Sequence, residues 1–126
     1  MIRTLRSQSD YKKTLLRNQL TSLILFEAVT TTKAKGKDLI SFANHFFSKV
    51  KKGDLQAMKL AHQTLFDKNA IKKTFDEILP RYDEKATTYV RAFRVMPRRG
   101  DSAEQMMVAF IKPLVVEEPK KEKKDK

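Results

Sequence analysis

The sequence predicts an α+β fold: a helix, a short strand, three helices and a β-hairpin in one compact domain, followed by a disordered charged C-terminal tail. Three observations predict it. Apolar residues recur at three- and four-residue steps between about residues 9 and 79, which is the helical period. After Pro80 the period changes to two, and two runs rich in β-branched, aromatic and Met residues flank a turn-rich stretch. Between the first two helical runs lies Val29-Thr30-Thr31-Thr32, β-branched throughout, which disfavours helix and suits a short extended segment or edge strand. A chain of 126 residues and 14.6 kDa corresponds to about one domain. The expected organisation is a basic N-terminal arm over residues 1–8, a compact α/β domain over 9–112 and a charged tail over 113–126.

The first helix begins after Ser9 and Asp10, both good N-caps, and Leu16, Leu20, Leu23 and Ile24 form its buried stripe. Lys12, Lys13 and Arg17 lie off that stripe near the helix N-terminus, where cations oppose the macrodipole. Their placement points to a task other than stability. The second helix runs from about Lys33 to Lys52, with Leu39, Ala43, Phe46, Phe47 and Val50 on one face and Gly53 as its left-handed stop. Asp54 caps a third helix carrying Met58, Ala61 and Leu65. Asp67 or Asn69 caps a fourth carrying Ile71, Phe75, Ile78 and Leu79, which Pro80 ends. Tyr89–Met96 and Gln105–Ile111 are the strands of the hairpin. On the first, Tyr89, Arg91, Phe93 and Val95 share one face and Val90, Ala92, Arg94 and Met96 the other. Residues 113–126 end in alternating charge without an aromatic, a composition that does not repay the entropy of ordering.

The charge distribution narrows the function. Lys and Arg outnumber Asp and Glu by 27 to 15, giving +12, and the sequence pI is near 10.0, the footprint of a phosphate-rich partner. Residues 1–52 carry +8, residues 53–79 are neutral, 80–112 carry +3 and 113–126 carry +1. Binding is therefore expected from the N-terminal part and the hairpin, including Arg3 and Arg6 of the arm, with the neutral middle as scaffold. There is no cysteine, so neither disulfides nor thiolate metal sites hold the fold. His45 and His62 lack a second ligand at metal-binding spacing. No P-loop, dinucleotide fingerprint or nucleophile elbow is present. Neither catalysis, cofactor, metal nor small-molecule substrate is expected, and no apolar run approaches the roughly 18 residues of a membrane span. Met1 to Leu16, bearing Arg and Ser with one acid, Asp10, is also compatible with an organellar transit peptide, whereas it lacks the apolar core of a secretory signal.

Two stretches together resemble the bacterial large-subunit ribosomal protein L-seventeen family. The first comprises Arg17-Asn18, Ser22-Leu23, Glu27, Val29, Thr31-Thr32 and Lys35-Gly36-Lys37-Asp38. The second comprises Pro80-Arg81-Tyr82, Tyr89, Arg91, Arg94, Arg98 and Gly100-Asp101-Ser102-Ala103. The resemblance spans residues 9–112. It implies a structural protein of the large subunit, bound to ribosomal RNA near the outside of the exit tunnel and touching neighbouring ribosomal proteins on a cytoplasmic or organellar ribosome. Carried over by position, the RNA-facing residues are Arg17, Asn18, Thr31, Thr32, Lys35, Lys37, Arg81, Arg91 and Arg98. Within the hairpin loop it favours Arg98 over Arg99. The chain departs from the family pattern in its short arm, in Phe26 where a His is usual, in Thr87-Thr88 where the family has a glycine pair, and in Met96-Pro97 in a usual glycine region. A DNA-binding protein of helix-turn-helix type is the alternative, but its recognition helix would carry Lys72 and Lys73 beside Asp76 and Glu77, a poor balance for a groove.

Overall fold

The computed structural model describes residues 8–112, apart from the side chain of Gln8. The arm with Arg3 and Arg6 and the tail expected over 113–126 lie outside the described residues. In chain order the elements are α1 (Gln8–Phe26), β1 (Ala28–Thr32), α2 (Lys33–Val50), α3 (Leu55–Thr64), α4 (Lys68–Lys73), β2 (Val90–Val95) and β3 (Gln105–Phe110). The order matches the sequence expectation. The sheet is antiparallel with strand order β1-β3-β2, so the N-terminal segment Ala28–Thr32 adds itself to the hairpin as an edge strand.

The register sets which side meets the helices. Val29, Val108 and Ala92 align across the sheet, as do Thr31, Met106 and Arg94, and Val90 pairs with Phe110. This face carries the core: Val90, Val108 and Phe110 pack with Leu20, Leu23 and Ile24 of α1 and Leu39, Ala43, Phe46, Phe47 and Val50 of α2. Phe47 is the hub, its ring centroid 5.3 Å from Phe46, 5.4 Å from Tyr89 and 5.5 Å from Phe110. Such aromatic pairs add about 0.5–1.5 kcal/mol each beyond area burial. Ala28, Thr30 and Thr32, with Ala109, Met107 and Gln105 and with Arg91, Phe93 and Val95, occupy the opposite face.

Three details differ from the sequence reading. Met58 is 46 % exposed, and Ala57 takes the core position instead, while Ala61 and Leu65 are buried as expected. Tyr89 does not share an outward face with Arg91. It is fully buried beside buried Val90, because Asn44 Oδ1 accepts from the backbone N–H of Tyr89 at 2.8 Å and of Val90 at 3.4 Å and holds the chain there before pleating begins. Pro80 does not simply stop the fourth helix. After Lys73 the chain widens into a π-helical turn over Thr74–Ile78 and tightens into a 3-10 turn over Leu79–Arg81. Buried Thr74 donates its hydroxyl to the Ala70 carbonyl at 2.8 Å, a back-bond that loosens helical turns, and Pro80 cannot donate to the turn before it.

Candidate nucleic-acid interface

The first turns of α1 and α2 and the loop of the hairpin meet at one end of the molecule. The α2 backbone starts there with Lys33 N–H donating to Glu104 O at 3.1 Å. Thr32, its N-cap, is extended at φ −67° and ψ 151° and makes no side-chain cap. Lys12 Nζ lies 3.0 Å from Asp38 Oδ2, joining α1 to α2, and Lys33 Nζ lies 2.6 Å from Glu104 Oε2, joining α2 to the hairpin. Lys33, and beyond it Arg94 and Lys37, hold the Glu104 carboxyl below its ordinary range. Among the described residues, exposed Lys13, Lys35, Lys37, Arg94 and Arg99 have no carboxylate partner within ion-pair distance. This pole thus carries more cations than Asp10, Asp38, Asp101 and Glu104 neutralise.

The hairpin loop is held by its own chemistry. Arg98 N–H donates to Ala103 O and Ser102 N–H to Arg98 O, each at 3.0 Å. Gly100 at φ 106° and Ser102 at φ 53° supply the left-handed conformations that reverse the chain. The Arg98 guanidinium forks onto Asp101, with Nε at 3.1 Å from Oδ1 and Nη2 on Oδ2. That hydrogen bond, seconded by the Ala103 N–H, pulls the Asp101 carboxyl down from 3.8 to about 2. Arg98 is therefore aimed by the loop, with Nη1 left for an outside acceptor.

Other residues expected at the interface are placed differently. Arg17 donates through Nε to Thr64 O at 2.9 Å and through Nη2 to Gln63 O, and its guanidinium lies 4.3 Å over the Phe66 ring. It caps the C-terminal carbonyls of α3, where a cation is favoured. Arg81 sits at the opposite end of the sheet. Its Nη1 and Nη2 lie 3.2 and 3.0 Å from the two carboxylate oxygens of Glu27, and Nη1 also donates to Lys112 O at 3.4 Å. Lys73 Nζ lies 3.2 Å from Glu27 and donates to Leu25 O at 2.9 Å. Thr31 accepts from Gln19 Nε2 at 3.1 Å. Asn18 is exposed on α1, and Arg91 is exposed beside Phe93 on the outward sheet face. The structure thus gathers Lys12, Lys13, Thr32, Lys35, Lys37, Arg94 and Arg98 at one pole and engages Arg17, Thr31 and Arg81 within the protein.

Sequence reasoning missed Lys33 and Glu104, which line the centre of this pole. The signal was a charge pair across 71 positions, unreadable until the strands are paired. Among the described residues no group of three or more His, Cys, Asp and Glu could hold a metal, and no helix is long and apolar enough to cross a membrane. The helical pair α3–α4 offers no groove reader, since α4 has only six α-helical residues and Lys73 is turned into the protein.

The family model described as "Ribosomal protein L17" matches residues 15–111. A curated relative in Endomicrobium trichonymphae, "Large ribosomal subunit protein bL17", is 41% identical over 103 residues, covering 82% of this chain and 88% of the relative. Proteins with the same description in Caldanaerobacter subterraneus subsp. tengcongensis and Acholeplasma laidlawii are 37% and 36% identical, over 86% and 85% of this chain and 97% and 95% of theirs.

Proposed function

This chain belongs to the ribosomal protein L17 family and is a structural constituent of the large ribosomal subunit, and on that premise we propose that it binds large-subunit ribosomal RNA through the basic pole, near the outside of the exit tunnel. The observation that carries the reading is the convergence of Lys35, Lys37, Arg94 and Arg98 on one end of the fold, with too few carboxylates to neutralise them. Lysines on helices and an arginine on a fixed loop neutralise phosphates and fit the shape of folded RNA, without reading a base sequence in a duplex. Thr32 and Lys13 extend the same surface, and Arg91 offers a further cation on the outward sheet face. Arg17 and Arg81 serve it indirectly, by fixing α3 against α1 and the segment before β2 against the α1–β1 reversal. The chain works without catalysis, cofactor or small-molecule substrate, on a bacterial-type cytoplasmic ribosome beside neighbouring large-subunit proteins.

Sucrose-gradient sedimentation tests this. Tagged protein is expected in the large-subunit peak at one copy per particle and to leave it as salt rises. Recovery only at the top of the gradient, or with bulk DNA, would contradict the reading.

A further inference from the structure

We propose that the cleft between the first turn of α2 and the loop end of the β2–β3 hairpin seats a single unstacked nucleotide of ribosomal RNA. The proposal rests on the RNA-binding reading and gives it a specific point of contact. The cleft has a volume of about 190 Å³ and is lined by Val95, Pro97 and Met106, by Glu104 and Gln105, and by Lys33 and Arg94. Sites for drug-sized ligands occupy about 300–1,000 Å³, so this one suits a single planar heterocycle.

Its chemistry is that of a base site. Val95, Pro97 and Met106 offer apolar contact for the faces and edge of a ring, and a thioether is polarizable enough to favour aromatic neighbours. Gln105 brings a donor and an acceptor on one side chain, and among the described residues its amide has no hydrogen-bond partner. Glu104 is held by Lys33 at 2.6 Å, yet a carboxylate has about four acceptor positions, so one oxygen remains for an exocyclic amine. Lys33 and Arg94 border the same space and suit the flanking phosphates. An acidic protein side chain would meet the same cations but would also meet the Glu104 carboxylate. A base avoids that repulsion and uses the carboxylate as an acceptor. Since the base faces of a paired A-form helix are covered by stacking and its rings cannot be swung into such a cleft, the nucleotide must come from a loop or bulge.

The test is made in assembled large subunits. Val95 is replaced by the photoreactive residue p-benzoylphenylalanine, and cross-links are mapped by reverse-transcription stops and by mass spectrometry. One cross-linked nucleotide is expected. Its base edge is expected to be protected from chemical modification in wild-type subunits and reactive with Gln105→Leu. That variant is also expected to lower affinity for the surrounding RNA fragment on the order of tenfold, the size of one lost base-edge pairing. Cross-links to a protein, scattered RNA cross-links, or none, in particles that still contain the chain, would overturn the nucleotide site and leave the ribosomal reading standing. Absence of the chain from the large-subunit peak would overturn both.

Discussion

Arg98 and Asp101 illustrate how one side-chain pair can set the direction of a binding residue. Because the Arg98 fork closes on Asp101, the folded carboxyl titrates at about 2 instead of 3.8. A depressed carboxyl contributes to loop order above about pH 4 and loses that contribution as pH falls towards 2. Carbon-detected NMR titration of Asp101 is expected to show the low midpoint, returning towards 3.8 in Arg98→Lys, since an ammonium lacks the fork. A midpoint unchanged between the two proteins would contradict the pairing. In competition for incorporation into large subunits, Arg98→Lys is expected to lose to wild type and Arg99→Lys to match it. Glu27 is the second decisive residue. It is a non-glycine at φ 63°, with Arg81 and Lys73 both on its carboxylate and all three side chains largely shielded from water. Removing the carboxylate leaves Lys73 without its carboxylate partner and Arg81 with Glu77 at 3.8 Å, so Glu27→Ala is expected to cost about 2–4 kcal/mol in urea unfolding. Glu27→Gly is expected to cost about 1 kcal/mol less, because glycine adopts that backbone freely. Equal losses in both variants would show that the left-handed turn carries no strain. The sequence offered no sign of this role: the reversal lacks the usual glycine, and its partner Arg81 is 54 positions away, so Arg81 read as a free cation.

At the scale of elements, periodicity located the four α-helices and the two hairpin strands, because each buries one face, and the β-branched run located β1. Periodicity failed where contacts between elements overrule the period. The N-terminal contact of α3 is set by what fits against α2, which takes small Ala57 and leaves Met58 outside. The π turn after α4 depends on the buried Thr74 hydroxyl and on Pro80 together. The approach of α2 to β3 is similarly invisible in the sequence. A Cβ on Gly36 would lie 2.9 Å from Met106 Sδ, so the helix is seated closely on the strand. Gly36 itself has helical backbone geometry, and alanine favours a helix interior by about 1 kcal/mol over glycine. The methionine side chain is flexible and can withdraw. Gly36→Ala is therefore expected to raise stability by about 0.5–1 kcal/mol, read as a higher urea midpoint at unchanged slope. A lower midpoint would mean that Met106 is fixed and that the close seating is required.

For the whole molecule, the fold separates two tasks by position. The core under Phe47 and the Glu27–Arg81–Lys73 cluster hold α1, α4 and the sheet together at one end. The surplus of cations stands at the other. The sequence showed that the N-terminal part and hairpin were basic, but not that they converge, since that follows from β1 joining the hairpin and carrying the start of α2 to the hairpin's loop end. The central claim is that this pole neutralises phosphates, and Lys35 and Lys37 test it most directly because both are exposed and hold no ion pair among the described residues. The measurement is the salt dependence of binding to the large-subunit RNA fragment for wild type and for Lys35→Ala/Lys37→Ala. Each lost phosphate contact lowers the log–log slope by roughly 0.7–0.9, so the double variant is expected to bind more weakly, with a slope smaller by about 1.4–1.8 and an unchanged circular-dichroism spectrum. An unchanged slope in the correctly folded variant would contradict the claim and place the RNA on another face.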